Sequence, residues 1–220
     1  MTAPPKIIAV DGPAASGKGT LARRLAHRFG YAYLDTGLLY RAVGWRLLKA
    51  GRDPADEGAA VAAARAVTPA ELDEPALRGE AAGKAASRVA AIPAVREALL
   101  GLQREFAAKP LDSHGNPAKG AVIDGRDIGT VICPDAAVKL FVNASLETRA
   151  KRRHKELLAR GEPSIYARVL EDMERRDEQD RRRSVAPMAK APDAFEIDTT
   201  NLDADGVFAA ALAFIGSRLD

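Results

Sequence analysis

The sequence lacks the residues that build disulfide-linked, zinc-centred or membrane proteins. Its 220 residues include one cysteine, Cys133, so no intrachain disulfide can form, which is typical of a reducing compartment. The histidines His27, His114 and His154 lie far apart, without the spacing of metal ligands. The N-terminal MTAPPK has no signal-peptide pattern, and no apolar run approaches the roughly 18 residues of a membrane span. We therefore expect a cytoplasmic protein with no membrane association and no dedicated metal site of its own.

A large excess of one charge is also missing. The chain has 33 Lys and Arg against 30 Asp and Glu, so its formal net charge is only +3. A nucleic-acid-binding protein would have a larger positive excess, and the run Arg181–Arg183 has no interleaved aromatic residues. Hydrophobic residues make up 47% of the chain, which is typical of a globular domain with a sizeable core. This balance favours an enzyme with an anionic substrate and no nucleic-acid partner.

Short apolar runs alternate with helical patterns along the chain. The runs, rich in β-branched residues, lie at 6–12, 31–34, 121–124, 138–142 and 194–197. The first helical pattern ends near residue 30. The later ones cover about 36–50, 93–106, 145–160, 165–182 and 203–219. This alternation predicts an α/β fold with a parallel sheet covered by helices on both faces.

The remaining segment, residues 52–92, is rich in alanine, glycine, proline and charge. Its weak periodicity predicts an insertion with local helical structure that is mobile against the core. Just before it, Thr36 is expected to cap the helix over 36–50.

A glycine-rich loop, GPAASGKGT, lies directly between the first strand and the first helix. Glycines let such a loop curl so that backbone N–H groups face one anion, and the helix N-terminus adds further donors. Lys18 is expected to reach the β- and γ-phosphates, and the hydroxyl of Thr20 to serve Mg²⁺ either directly or through water, since Gly19 stands where many such loops have Ser or Thr. The pattern predicts a nucleotide-phosphate site at Gly12, Pro13, Ala14, Ala15, Ser16, Gly17, Lys18, Gly19 and Thr20.

A possible acceptor segment, LDTGLLYR, joins the second strand to the second helix. The carboxyl ends of parallel strands face the ligand crevice, so Thr36 and Arg41 can grip an acceptor phosphate with Tyr40 beside it. A capped helix with a surface arginine explains this segment equally well.

The segment DGRDIG, with Asp124, Arg126 and Asp127, follows another predicted buried strand. An ordinary β-turn is the alternative here. Two carboxylates and an arginine at a strand end favour a polar site, because arginine offers a planar fork to phosphate.

Two groups of charged residues fall on single faces of predicted helices. The first, at positions i, i+3 and i+4, comprises Arg149, Arg152 and Arg153. The second, at i, i+4 and i+7, comprises Arg176, Asp180 and Arg183. Arginines that converge on an anion stabilise the transition state of phosphoryl transfer. For any single arginine, a solvated charged face is the alternative.

Five blocks together resemble the bacterial cytidylate kinase family over nearly the whole chain. In order, they are GPAASGKGT, LDTGLLYR, AASRVAAIPAVREALL, DGRDIGT and RRDEQDRRRSVAP. The resemblance implies ATP-dependent, Mg²⁺-dependent phosphorylation of CMP or dCMP to CDP or dCDP. It implies a P-loop NTPase fold of three α/β/α layers with a five-stranded parallel sheet. One kinase domain over 1–220 would then carry an acceptor-binding insertion at 52–92 and a lid at about 149–165, with small-molecule nucleotides as its partners and a monomeric state.

The resemblance also implies roles for matching residues. The acceptor phosphate would be held by Thr36, Arg41, Arg126 and Arg183. The cytosine would be read by Ser87, Arg96 and Asp127. The sugar would contact Arg176 and Asp180, with Tyr40 against the nucleotide and Asp124 in the same acceptor site. The catalytic residues would be Lys18, Arg126, Arg149, Arg152 and Arg153.

Two positions depart from the family pattern. Thr36 stands where the family usually has Ser, which keeps the hydroxyl. Residues 52–85 show no strand alternation, whereas many members build a small sheet there.

Two other functions remain compatible with the glycine-rich loop. One is a P-loop kinase that acts on UMP, AMP or a small metabolite. The other is a nucleotide-dependent switch or a nucleic-acid-binding ATPase, against which the DGRD block and the downstream arginine face argue. No motif in the sequence indicates how the purine of the donor is recognised.

Overall fold

The computed structural model of the protein describes residues 4–219, except for the side chain of Ser217. The N-terminal segment MTAPPK contributed to the prediction of a cytoplasmic location. Its first three residues lie outside the described residues. The chain divides into two compact units. The sheet unit comprises the chain up to Leu34 together with the chain from Phe106 onward, and the helical unit comprises Asp35–Glu105.

The sheet consists of five short parallel strands. They are β1 (Lys6–Asp11), β2 (Ala32–Asp35), β3 (Gly120–Gly125), β4 (Val138–Asn143) and β5 (Phe195–Asp198). Their order is β2-β3-β1-β4-β5, with the first strand of the chain in the centre. In the register, Ile8 of β1 aligns with Val122 of β3 and Val138 of β4. The predicted α/β class with a five-stranded parallel sheet is confirmed.

The helices of residues 4–219 follow the predicted patterns closely. They are α1 (Lys18–Phe29), α2 (Thr36–Lys49), α3 (Glu57–Arg65), α4 (Glu80–Val89), α5 (Pro93–Ala108), α6 (Leu146–Ala159), α7 (Tyr166–Arg181) and α8 (Ala204–Ile215). Short 3₁₀ turns occupy Pro69–Asp73, Pro75–Arg78 and Gly216–Leu219, and a π-helical turn occupies Ile128–Ile132. Helix α1 ends where Gly30 adopts a left-handed φ of 62°, a conformation that favours glycine.

One face of the sheet packs against α1 and α8. The buried residues of this core are mostly β-branched on the strands and Leu or Ala on the helices; they include Ile8, Val10, Leu21, Leu25, Leu140, Val142, Val207 and Ala211. Because side chains alternate along a strand, Ala9 and Asp11 of β1 lie on the opposite face, and both are buried. Asp11 therefore places a carboxylate at the carboxyl end of the central strand.

The helical unit has a core of its own, formed by α2, α3, α4 and α5. Helices α2 and α4 approach closely at Gly44, where an added Cβ would lie 2.7 Å from the Cβ of Ala85. The predicted insertion 52–92 lies within this unit, which contains helices and 3₁₀ turns but no strand over residues 36–105. Its mobility and its role in acceptor binding stay predictions. The expected cap is wrong by one residue, because Asp35 holds the N-cap position and Thr36 begins the helix.

Helices α6 and α7 pack together in the sheet unit through Ala150, Leu157, Val169 and Met173. Helix α6 begins after Ser145, whose Oγ accepts a hydrogen bond from the N–H of Thr148 (3.2 Å). The predicted lid, about 149–165, covers most of α6 and the connection to α7, and its closure stays a prediction. Over residues 4–219, no helix is long and apolar enough to cross a membrane.

Candidate active site

The glycine-rich loop curls between β1 and α1 as its pattern predicts. Gly12 has a φ of 148°, and a Cβ there would lie only 2.0 Å from the carbonyl oxygen of Val142. Gly17 has a φ of 93° at the N-cap of α1, so both positions require glycine. Ser16 is fully buried, and its Oγ has no hydrogen-bond partner within the part of the chain that the structure describes. A buried, unsatisfied hydroxyl inside a loop that opens a helix suits a bound anion.

Arg152 and Thr199 hold the loop at Ser16. Thr199 is buried and donates its hydroxyl to the carbonyl oxygen of Ser16 (2.8 Å). Arg152 donates to both the hydroxyl (2.9 Å) and the carbonyl (2.6 Å) of Thr199, with the same guanidinium 3.5 Å from the Ser16 oxygen. The predicted catalytic Arg152 therefore lies directly beside the P-loop backbone. Thr199 has no motif around it and was missed by sequence reasoning.

The other two arginines of α6 differ in their surroundings. Arg149 is only 3% exposed and forms a 2.6 Å ion pair with Asp177 of α7, itself 4% exposed. Its guanidinium also donates to the carbonyls of Ala144 (2.9 Å) and Ala14 (3.4 Å), and the latter contact ties α6 to the P-loop. Arg153 instead pairs with Glu156 at 3.0 Å. Helical spacing predicted one shared face, whereas the structure brings two of the three arginines to the P-loop and the third to a neighbouring carboxylate.

Asp11 joins the P-loop to the segment that follows β3. Its carboxylate accepts hydrogen bonds from the backbone N–H groups of Ile128 and Gly129, both at 2.8 Å. Burial raises the pKa of Asp11 to about 6, against the lowering effect of these two hydrogen bonds; the negative charge of Asp127 raises it further, and Arg126 lowers it. Sequence reasoning missed this residue, because its partners lie 117 and 118 positions away.

Ionisation of Asp11 is expected to weaken the fold. Because its folded-state pKa is about 6 against an ordinary 3.8, its stabilising contribution is complete below 3.8 and is lost as the pH rises through 6. The asparagine of the Asp11→Asn variant does not titrate. The unfolding free energy of the wild type should therefore decrease by roughly 2 kcal/mol relative to that of Asp11→Asn between about pH 4.5 and 7. Urea denaturation at several pH values measures this difference.

Asp112→Asn provides the matched control for this titration. Asp112 also accepts two backbone hydrogen bonds, but in an exposed turn, and the one from Asn116 is the main cause that lowers the pKa of Asp112. Its titration therefore lies below the measured range, and the corresponding free-energy difference should stay flat. A wild-type advantage over Asp11→Asn that grows with pH would contradict the raised pKa of Asp11.

A cluster of three arginines surrounds Asp180 in the sheet unit. Asp180 has a 2% exposed side chain and pairs with Arg126 at 3.2 Å and with Arg183. Its burial would raise the pKa of Asp180, but the charges of Arg126, Arg183 and Arg176 together outweigh this and lower it. The structure therefore brings the DGRD loop and the end of α7 together, as the acceptor hypothesis requires. The planar guanidinium groups of this cluster are of the kind that binds phosphate.

Asp124, the first residue of the DGRD block, faces the P-loop. It is buried, and its Oδ2 lies 3.1 Å from the position that a Cβ on Gly19 would occupy. The hydroxyl of Tyr33 on β2 donates to the same oxygen (3.3 Å), and the Arg23 guanidinium lies 5.9 Å from the Tyr33 ring centroid. Tyr33 was not among the predicted residues, although its alternation along a short strand could have marked it. A carboxylate beside the P-loop is a hard oxygen donor, which suits Mg²⁺.

The helical unit contains the remaining predicted acceptor residues. Thr36 is buried at the start of α2, and the guanidinium of Arg96 on α5 lies 5.4 Å from the ring centroid of Tyr40. Arg41 donates to the carbonyls of Leu77 (2.6 Å) and Gly79 (3.1 Å). Ser87 is half-buried on α4. The arginine is thus anchored to a 3₁₀ turn, and its binding of a phosphate stays a prediction.

A cavity of about 300 Å³ lies beside the P-loop in the sheet unit. It is lined by Ser16, Gly17, Thr20, Leu21, Arg152, Thr199, Leu202, Asp203, Ala204 and Val207. The chain between β5 and α8, which had no recognisable motif, thus forms one wall. Within residues 4–219, no group of three or more His, Cys, Asp or Glu could hold a metal ion.

The chain is similar in sequence to known proteins over nearly its whole length. The cytidylate kinase family model matches residues 8–217. The cytidylate kinase of Paramagnetospirillum magneticum is 59% identical over 212 residues, which cover 96% of this chain and 98% of that protein. The cytidylate kinase of Rhodospirillum rubrum is 56% identical with the same coverage. A solved sugar kinase from Janibacter sp. HTCC2649 is similar in fold alone, with a TM-score of 0.50 and 14% identity over 96% of this chain and 95% of that one.

These matches extend over nearly the entire sequence and include the P-loop, the DGRD segment and the arginine-rich end of α7. The chain belongs to the cytidylate kinase family.

Proposed function

We propose that the protein transfers the γ-phosphate of ATP to CMP or dCMP, which yields ADP and CDP or dCDP. The observation that carries this proposal is the Asp180 cluster, because a P-loop alone is also found in switches and ATPases. Arg126, Arg176 and Arg183 come from two distant parts of the sequence and converge on one buried carboxylate. Convergence of guanidinium groups on one place suits a second phosphorylated ligand, because each group offers a planar fork to phosphate oxygens.

The donor triphosphate is held by the P-loop. Its curled backbone and the N-terminus of α1 present N–H groups to the β- and γ-phosphates, and Lys18 adds a positive charge. Thr20 and Asp124 would hold Mg²⁺, which neutralises charge on the phosphates when bound. The 300 Å³ cavity takes the donor base, with Leu202 and Val207 as apolar walls and Arg152 at its edge. No base-reading side chain dominates this wall, which favours recognition by shape over recognition by a motif.

The acceptor phosphate is held by Arg126 and Arg183, and the sugar by Arg176 and Asp180. Asp127 reads the cytosine: it is buried, and a carboxylate accepts the hydrogen bond that the exocyclic amine of cytosine donates. Uracil has a carbonyl oxygen at that position, so two acceptors would face each other and no hydrogen bond would form, which disfavours UMP. The roles of Thr36, Tyr40, Arg41, Ser87 and Arg96 in acceptor binding remain assignments made from the family resemblance.

The reaction is an in-line displacement. An oxygen of the CMP phosphate forms a bond to the γ-phosphorus, and the bond from that phosphorus to the β–γ bridging oxygen breaks, with its electron pair leaving on ADP. The acceptor oxygen is already ionised, so neither a strong base nor a covalent enzyme intermediate is needed. Lys18 and the arginines position the reactants and neutralise the charge that spreads over the transferred group. Arg149, Arg152 and Arg153 act from α6 in a lid that closes on the substrates and excludes water.

The test is identification of products by mass. The protein, Mg²⁺ and ATP are incubated with equal amounts of CMP, dCMP, UMP and isotopically labelled AMP. CDP and dCDP should dominate, with UDP and labelled ADP formed at least about 10-fold more slowly, since an unpaired buried polar group costs 1–3 kcal/mol. Dominant phosphorylation of UMP or AMP would replace the acceptor assignment. Phosphate release stimulated by single-stranded RNA or DNA, without a new nucleoside diphosphate, would overturn the kinase proposal and the expected absence of a nucleic-acid partner.

The proposal extends to the assembly and location of the enzyme. We propose a monomeric enzyme with small-molecule nucleotides as its partners. The single cysteine supports a cytoplasmic location.

A further inference from the structure

We infer that Asp11 is a positioning residue that holds the segment bearing Arg126 and Asp127 in place relative to the P-loop. Asp11 is the last residue of β1 and directly precedes Gly12, the first residue of the glycine-rich loop. It neither belongs to that loop's anion-binding backbone nor matches any group assigned above to a substrate. The inference rests on the proposed roles of Arg126 and Asp127 toward the acceptor.

The contact joins two neighbouring strands just beyond the point where each one ends. In the register, Asp11 of β1 aligns with Gly125 of β3, and the chain then leaves the sheet through Arg126 and Asp127. Both carboxylate oxygens of Asp11 accept, one from Ile128 N–H and one from Gly129 N–H, each at 2.8 Å. The two bonds therefore fix the backbone immediately after the acceptor residues, where strand pairing no longer does.

The far side of this segment is closed off as well. A Cβ on Gly129 would lie 3.1 Å from Cδ of Lys139 on β4 and 3.4 Å from the Asp11 carboxylate. The loop is therefore packed tightly between these two side chains. Lys139 is buried and directs its ammonium group to Asp193, at 2.8 Å. Arg126 and Asp127 are the other charged groups close to Asp11. The carboxylate is thus committed to the two backbone donors.

A buried carboxylate is energetically unfavourable for a contact that is purely structural. Burial disfavours its charged form, and neighbouring Asp127 adds repulsion. No other short side chain offers a separate acceptor oxygen to each of two adjacent N–H groups, since asparagine has one oxygen and one NH₂ donor. The P-loop is already held by the contacts at Gly12, Thr199 and Arg152. The two hydrogen bonds of Asp11 therefore serve to fix the position of the DGRD loop. We therefore expect loss of Asp11 to impair the acceptor side far more than the donor side.

The experiment compares Asp11→Ala, Asp11→Asn and the control Asp112→Ala. Asp112 also accepts two 2.8 Å bonds from backbone N–H groups, those of His114 and Asn116, but in an exposed turn outside the assigned site. Isothermal titration gives Kd for CMP alone and for a non-hydrolysable ATP analogue alone, and steady-state assays give kcat and KM for each substrate. Asp11→Ala should raise Kd and KM for CMP by at least about 10-fold and lower kcat by about 10- to 100-fold. The Kd of the ATP analogue should change by less than about 3-fold, and Asp112→Ala should match the wild type.

Asp11→Asn keeps the shape and one acceptor, so it decides the question if the alanine variant does not fold. It should give the same split with a smaller effect on CMP. A folded variant with wild-type Kd and KM for CMP, or one that loses donor and acceptor affinity equally, would overturn the inference. The proposed function fails separately: a wild-type protein that neither binds nor phosphorylates CMP would refute it whatever the Asp11 variants do.

Discussion

Lys18→Ala is expected to lower kcat by about a thousandfold or more, while the protein remains folded. Lys18 is the first residue of α1 and the only lysine in the P-loop, and the proposed mechanism uses it to neutralise the charge that develops on the transferred phosphoryl group. A thousandfold loss corresponds to roughly 4 kcal/mol of transition-state stabilisation. Lys18 is not one of the residues that form the core under the sheet, so circular dichroism and the urea midpoint should change little.

Lys151→Ala is the matched control, because Lys151 is an exposed lysine in the interior of helix α6. Its kcat and KM should equal those of the wild type. A correctly folded Lys18→Ala enzyme with a normal kcat would remove the lysine from the mechanism. A large rise in KM for ATP with kcat unchanged would instead assign it to ground-state binding of the donor.

Removal of the carboxylate of Asp180 is expected to have the largest effect on stability. Asp180→Ala leaves Arg126 and Arg183, with side chains only 15% and 7% exposed, without the buried negative charge between them. Breaking a buried ion pair from one side typically costs 3–5 kcal/mol, which is a large share of a domain's total stability. Urea denaturation measures this loss directly. KM for CMP should rise by at least about 10-fold, because the proposed sugar contact and the order of both arginines are lost together.

Asp172→Ala on the same helix is the control for this change. Asp172 pairs with Arg175 at the exposed surface of α7, and removal of such a pair should cost less than about 1 kcal/mol. Asp180→Asn keeps the side-chain volume and separates loss of charge from loss of packing. Equal stabilities of Asp180→Ala and Asp172→Ala would mean that the three arginines do not depend on Asp180.

The P-loop and the strands were predictable because their causes are local. The requirement for glycine at Gly12 and Gly17 is visible in the sequence as a motif. Short runs of β-branched residues predict buried parallel strands. The segment 52–92 was less predictable, since alanine-rich sequence has weak periodicity. Its helices and 3₁₀ turns are stabilised mainly by a separate core with α2 and α5.

The individual arginines could not be sorted from spacing. Arg149, Arg152 and Arg153 have the same helical signature, yet one is buried against Asp177, one lies on Thr199 and one pairs with Glu156. The difference arises from what packs against each side of α6, and that information is carried by residues far away in the chain.

Residue order alone was sufficient for the type of chemistry: a phosphate-binding loop at the end of a buried strand, followed by blocks typical of a nucleotide kinase. These features depend on backbone conformations and side-chain types that neighbours along the chain impose. Folding decided which charges meet. The contacts that build the site join positions 54 to 118 residues apart in the chain. They are the ion pair of Arg126 with Asp180, the hydrogen bonds of Asp11 with Ile128 and Gly129, and the hydrogen bond of Tyr33 with Asp124. Such pairs depend on burial and through-space distance, which strand order sets and which no local pattern encodes.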